Sequence, residues 1–349
     1  MYSTENQKER LLMLLDSFRI DCELLEVIEG PTVTMFVIRL NEGIRFNKLK
    51  NLTEDLELNL PAERVRILPI TSKSAIGIEV PSLHRRYVLF NQFNSYHNAN
   101  NRIPFYLGKD IMNRGICIDL SKQPHLLIAG STGSGKSLCV NSLICSIITK
   151  KRPDEVRLVL VDPKRVELSL YNSIPHLIGN VIFDCDETIS MLDGLIHEMN
   201  RRYDLLNRLS ARNLEEYNFK SPVRKLRRIV LIIDEFADFM SSKSKELEPR
   251  IARLTAMARA VGIHLVLATQ RPSADVITGI IKANIPSRIA FQVSSSLDSR
   301  IILDQSGAEK LIGKGDMLAS LRGKSDLVRI QGAYLDSNDI MDIVSKVRK

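Results

Sequence analysis

Little in this sequence points outside the cell or into a membrane. No apolar run approaches the ~20 residues that a membrane span needs. Met1-Tyr2-Ser3-Thr4-Glu5 opens no signal peptide. Cysteine is scarce: Cys22, Cys117, Cys139, Cys145 and Cys185 are scattered, odd in number and contain no C-x-x-C pair. A disulfide framework and a thiolate zinc site are therefore not expected, and a reducing cytoplasm is the expected compartment. The six histidines form no H-x-x-x-H pair, so a helical zinc motif is missing as well. There is no internal repeat and no low-complexity tail.

What is present is a globular composition, 44% hydrophobic and 26% charged over 349 residues, long enough for two domains or one with an appendage. The net charge of +8 favours a polyanionic partner, although a solvated basic surface gives the same number. Between Arg201 and Arg228 nine basic residues face three acidic ones, a run that a solvated helix face would also explain.

One stretch carries chemistry by its spacing. Gly130-Ser131-Thr132-Gly133-Ser134-Gly135-Lys136-Ser137 fits G-x-x-x-x-G-K-S/T. The apolar His125–Ala129 before it predicts a buried strand, and Leu138–Ile148 after it predicts a helix. Strand, glycine-rich turn and helix are what a phosphate-binding loop requires. Its backbone N–H groups turn inward on phosphates, helped by the positive helix end. Lys136 is placed for the β- and γ-phosphates of ATP, and the Ser137 hydroxyl for Mg²⁺.

The rest of the chain reads as two units. Residues 1–100 predict a small α+β domain. It has a helix over 5–18, a hairpin of Cys22–Ile28 with Thr32–Leu40, a helix over Lys48–Leu60, and strands at Val65–Leu68 and Ile76–Val80. The asparagine-rich Asn91–Asn101 reads as a linker. From 101 to 349, strands and helices alternate as in a parallel α/β sheet. Strands are expected at Arg157–Val161, Ile229–Ile233, Gly262–Ala268 and Arg288–Val293. Helices are expected over Glu187–Leu209, Glu246–Ala260 and Asn338–Val347, with a hairpin of Asp316–Ala319 and Asp326–Ile330.

The unbroken apolar strand ending in Asp234-Glu235 supplies the partners of the loop. Asp234 is placed to hold Mg²⁺ directly or through water. Glu235 points to another side of the strand end, where it polarises the attacking water. Thr269 and Gln270 end a further strand and sense the γ-phosphate, with a plain loop as the competing reading. Transition-state charge in such motors is often met by an arginine from a neighbouring subunit, which spacing alone does not pick out.

Taken together these residues resemble the FtsK/SpoIIIE family of DNA translocases. The likeness extends through Val161-Asp162-Pro163-Lys164, Ile174-Pro175-His176-Leu177, Glu198–Tyr203 and Ile233–Asp238. It continues over Ala258–Ser273, Ile280–Pro286, Asp298–Gln305 and Gly315–Leu318, and Lys73–Pro81 resembles the family's small α subdomain. The resemblance implies a RecA-like P-loop NTPase core with a small N-terminal α+β domain. It further implies a homohexameric ring that draws double-stranded DNA through its pore at the expense of ATP. By position, Arg259 corresponds to the trans-acting arginine finger, and Arg271, Lys282 and Arg300 to pore-loop contacts with the DNA backbone. Gripping phosphates rather than base edges suits a motor that must accept every sequence.

Three departures qualify the likeness. Ser296 stands where many members carry a lysine, which implies one weaker pore contact. The segment between Tyr217 and Ile229 is shorter than usual. No winged-helix γ domain and no membrane-anchoring helices lie within the sequence, so the resemblance is to the αβ motor portion. Two other readings compete: a secretion-type ATPase that threads polypeptide, and a non-hydrolysing DNA-binding assembly factor.

Overall fold

The computed structural model describes residues 4–348 apart from 61, 63, 83, 97, 222–224 and 325, with the side chains of 93–95 also left aside. Two sheets organise the chain. The first follows helix α1 (Thr4–Ser17) and is built from β1 (Cys22–Glu29), β2 (Val33–Leu40), β3 (Arg66–Ile70) and β4 (Ala75–Pro81), in the order β1-β2-β4-β3 and antiparallel throughout. Two short helices, α2 (Phe46–Asn51) and α3 (Thr53–Asn59), stand where one helix was expected over Lys48–Leu60. The Thr53 hydroxyl donates to Lys50 O at 2.6 Å and breaks the helix there, as a serine or threonine side chain does when it competes for backbone. Leu11 and Leu15 of α1, Leu49 and Leu56 of α2 and α3, and Phe36 and Ile78 of the sheet form one buried cluster.

The second sheet has ten strands: β5 (Val88–Leu89), β6 (Pro104–Asp110), β7 (Gly115–Asp119), β8 (His125–Ala129), β9 (Val156–Val161), β10 (Arg228–Ile233), β11 (Ile263–Thr269), β12 (Ser287–Phe291), β13 (Asp316–Ser320) and β14 (Val328–Tyr334). Their order is β7-β6-β14-β13-β12-β8-β11-β10-β9, with β5 joining β14. Strands β12, β8, β11, β10 and β9 are mutually parallel. The remaining edge is largely antiparallel: β13 and β14 form the expected hairpin, while the β12–β13, β6–β14 and β6–β7 pairs depart from the parallel alternation expected after Phe105. For β6 and β7 the reason is local. Asp110 accepts hydrogen bonds from Met112 N and Arg114 N, both at 2.9 Å. That closes a tight turn, and a tight turn can join only antiparallel neighbours.

Helices cover both faces of the parallel half. Alternate residues along each strand feed two cores: Leu231 and Ile233 face one way, Val230 and Ile232 the other. On the first side lie α5 (Cys185–Arg208) and α7 (Phe236–Met257), with α6 (Leu214–Lys220), α8 (Gly279–Asn284) and α9 (Ser296–Leu303). On the other lie α4 (Lys136–Lys150) and α10 (Ser337–Arg348). Helix α4 is buried almost all round, which its apolar sequence requires. Helix α7 begins ten residues before the expected start at Glu246 and bends at Lys243 (φ −136°, ψ 39°). Phe236, Ala237, Phe239 and Met240 are buried and define its first turns, a signal masked by the serine- and lysine-rich Ser241–Lys245. The stretch expected as a linker is largely structured: Phe90–Tyr96 forms a 3-10 helix, while His97 lies outside the described residues.

The two sheets meet through buried charge. Arg329 on β14 donates to Asp316 at 3.0 and 2.6 Å and to Glu79 on β4 at 2.6 Å, and Arg66 on β3 reaches Glu79 at 3.1 Å. Lys310–Glu57, at 2.9 Å, ties them again at the periphery.

Candidate nucleotide site

The five parallel strands end on one edge, and the candidate residues gather there, as expected where an open sheet changes strand direction. Strand β8 runs into the glycine-rich loop, and β10, two positions away, ends at Asp234. Strand β11 lies between them and ends at Thr269.

The loop is fixed by backbone bonds to its neighbours. Gly130 N donates to Thr269 O at 3.2 Å, Ser131 N to Gln292 O at 2.9 Å, and Gly315 N to Ser134 O at 2.8 Å. At Gly135 φ is +113°, and a Cβ there would lie 2.6 Å from Gly315 N. Only glycine fits. The Ser134 hydroxyl is buried with no hydrogen-bond partner among the described residues, an unsatisfied group inside the loop that an anion or water would complete.

Lys136 is the first residue of α4 and is almost fully buried. Its Nζ donates to Asp234 Oδ1 at 2.8 Å and to Asp234 O at 2.7 Å. The two sequence-predicted groups therefore meet directly, and the carboxylate that Mg²⁺ would use is shared with the lysine that phosphates would use. Ser137 follows on the first turn of α4. A hydroxyl, one carboxylate, phosphate oxygens and waters are an ordinary octahedral set for Mg²⁺. Among the described residues no group of three or more His, Cys, Asp or Glu is arranged to hold a metal by itself.

Glu235 is buried beside this pair. Its carboxylate accepts from Thr269 Oγ1 at 2.8 Å, from Gln270 N at 3.1 Å to each oxygen, and from Lys164 Nζ at 3.1 Å. Gln270 also binds the tip of the loop, accepting from Thr132 Oγ1 at 2.7 Å. Thr269 and Gln270 thus join the loop and the acidic pair. Lys164 was not singled out from the sequence as a site residue, although β9 pairs with β10 in a register that sets Val161 opposite Ile233. That register puts Lys164 within reach of Glu235.

Arg259 is elsewhere. It occupies the turn before β11, at the opposite edge of the sheet, exposed and beside a polar cavity of about 760 Å³ shared with Arg102, Lys122 and Arg228. It cannot act on the loop of its own chain. Arg271 leaves the nucleotide end of β11, whereas Lys282 lies on α8, which leads into the opposite end of β12, and Arg300 lies on α9, which follows β12. Arg271 and Arg300 are exposed, whereas Lys282 is paired with Asp304. Arg288 also binds Asp304, and it donates to Lys282 O and Ile302 O, so it ties α8 to α9. In the basic run, Arg201 and Arg202 pair with Glu198, Lys220 with Glu216 and Arg228 with Glu215. Arg224 lies outside the described residues.

Sequence comparison decides the lineage. The profile of the FtsK/SpoIIIE family matches residues 89–225 and 220–274, and that of the FtsK alpha domain matches residues 2–82. The chain belongs to the FtsK/SpoIIIE family. It is 49% identical over 358 aligned residues to the DNA translocase FtsK of Borreliella burgdorferi, covering 100% of this chain and 46% of that protein. The chain thus spans about half the length of such relatives. Among solved structures, the pCW3 conjugation coupling protein TcpA, a monomer with ATPγS, superposes with a TM-score of 0.69 at 27% identity, covering 98% of this chain and 99% of that one. The cytoplasmic domain of the type VII secretion ATPase EccC from Thermomonospora curvata gives 0.62 at 24% identity, over 72% of this chain and 32% of that one, a likeness of fold alone. The core is that of a P-loop ATPase, with the family's small α domain at its N-terminus. No helix among the described residues is long and apolar enough to cross a membrane.

Proposed function

We propose that this chain is the ATP-hydrolysing motor of a DNA translocase, with residues 1–100 as the family's α subdomain and 101–349 as its RecA-like motor. The observation that carries the reading is the convergence of Lys136, Asp234, Glu235 and Gln270 on one strand edge, in a chain 49% identical along its length to a protein named DNA translocase FtsK. The backbone of Gly130–Ser137 cradles the triphosphate, and Lys136 exchanges Asp234 for phosphate oxygens. Ser137 and Asp234 would hold Mg²⁺, which when bound would supply positive charge against the phosphates. Glu235 orients and deprotonates the attacking water. Gln270, bonded to the loop tip and to Glu235, reports the γ-phosphate to the acidic pair.

The position of Arg259 fits a finger that serves the next copy. Six copies in a ring set each Arg259 against a neighbour's loop, while Arg271, Lys282 and Arg300 line the pore and hold the duplex backbone. The five cysteines are unpaired, which suits the cytoplasm. The polypeptide-threading alternative has likeness of fold alone behind it.

The test is ATP turnover with and without linear duplex DNA, together with displacement of a triplex-forming strand. Turnover should rise with DNA and the strand should be released; if neither happens, the reading is wrong. Glu235→Ala should still bind ATP but stop both activities, by at least about 100-fold in turnover.

A further inference from the structure

We infer that Lys164 is an ion-pair latch that keeps Glu235 idle until DNA is gripped. The inference rests on Glu235 being the group that activates water. A carboxylate offers about four acceptor positions. Three donors engage it: Thr269 Oγ1 on Oε1, Lys164 Nζ on Oε2, and the one N–H of Gln270 shared between the two oxygens. The group is only 1% exposed, and while the ammonium of Lys164 holds Oε2 that oxygen is not open to take a proton from water.

Two of the three donors are fixed. Thr269 is fully buried at the end of a central strand, and Gln270 N is the next group on the same backbone. Lys164 differs. Its side chain is 39% exposed, and its unbranched stem lets the ammonium leave without disturbing the sheet. The backbone beneath it stays in place, because the buried Asp162 carboxylate accepts from Lys164 N, Glu167 N and Leu168 N at 3.2, 2.9 and 2.9 Å. The amine can swing while its loop holds still.

The same carboxylate is connected to the candidate DNA contact. The Thr269 hydroxyl donates to Glu235 Oε1 and accepts from Arg271 N at 3.0 Å. A phosphate drawn onto Arg271 bears on the carboxylate through this fixed hydroxyl, and the one hold on Glu235 free to give way is that of Lys164. In this arrangement Lys164 is a positioning residue. It acts on Glu235 and not on the nucleotide, and it makes hydrolysis conditional on DNA.

Steady-state ATP turnover of Lys164→Met, which keeps the stem and removes the charge, tests this. Without DNA the turnover number should rise about five-fold, the weight of a half-exposed ion pair, with the KM for ATP unchanged. The ratio of DNA-stimulated to DNA-free rate should shrink by the same factor. Lys164→Arg should keep the low DNA-free rate, and adding Glu235→Gln to Lys164→Met should abolish the gain. Lys164→Gln asks the same question should the methionine disturb the loop. An unchanged or lower DNA-free turnover number, or a raised KM, overturns the latch. Failure of the translocase reading would appear instead in the wild-type protein, as absence of DNA stimulation. That outcome leaves the DNA-free comparison of wild type with Lys164→Met intact.

Discussion

Replacing Arg329 with methionine should destabilise the protein by about 3–5 kcal/mol, the usual cost of breaking a buried ion pair from one side. The structure says where that cost falls. The Arg329 side chain is 5% exposed, and those of Asp316 and Glu79 are 1% exposed each. With Arg66 they form a neutral set of two guanidinium and two carboxylate groups. Methionine fills much of the volume but removes three charge-assisted hydrogen bonds. Glu79 retains Arg66. Asp316 retains only Ile312 N, at 3.0 Å, among the bonds described, and becomes an uncompensated buried charge. Most of the loss is therefore at Asp316, and Arg329→Met with Asp316→Asn should recover about 2 kcal/mol of it. Differential scanning calorimetry of the wild type, both single variants and the pair gives the cycle, with a drop of roughly 5–10 °C expected for Arg329→Met. A cost below about 1 kcal/mol, or strict additivity of the two substitutions, would refute the reasoning. The pH dependence offers a second check. Burial pushes the Glu79 carboxyl up, but Arg66 and Arg329 outweigh it and hold it below its ordinary value. Its contribution is complete above the unfolded carboxylate pKa near ~4.3 and is lost as pH falls through the lower folded value. Glu79→Gln should flatten that acid limb.

Gly135→Ala should lose ATP-analogue binding measured by calorimetry, because the new Cβ meets Gly315 N and the backbone is left-handed; affinity equal to wild type would contradict the described loop. Lys136→Met should lower stability by about 3–5 kcal/mol by leaving Asp234 buried alone, and adding Asp234→Asn should restore part of the melting temperature without restoring turnover. The neighbouring buried imidazoles give a pH signature. Burial lowers His264 to about 4 and His125 to about 3. The folded state therefore favours the neutral rings, and stability should fall as pH drops from about 6.5 toward 4. His264→Asn keeps a donor for Pro124 O and should shallow that fall; an unchanged slope in thermal melts would exclude the histidines as its source.

The nucleotide loop, its flanking strand and helix, and the acids at the end of β10 were legible because each depends on residues adjacent in sequence. Apolar runs and turn-forming glycines report that kind of structure directly. The contacts that couple them were not. Glu79 and Arg329 are 250 residues apart, and Gly315 N meets Ser134 O only because β13 and β14 return to the sheet. The first turns of α7 were hidden by a polar stretch at its bend. Helices α8 and α9 were missed because each has too few buried residues to show a period. Lys164 lay in a quoted motif, but its partner became visible only when strand order set β9 beside β10.

Strand β11 has a mechanical consequence. It is buried at every residue and bonded to a parallel neighbour along each side. Seven residues at ~3.3 Å make a strut roughly 23 Å long. One end leaves the turn that holds Arg259, and the other carries the hydroxyl bonded to Glu235. A rod clamped on both sides does not shorten or buckle, so force applied at one end is delivered at the other. In the ring proposed above, the turn resting on a neighbour's nucleotide and the acid poised over a subunit's own would be two ends of one lever, and firing order would become a property of a single strand.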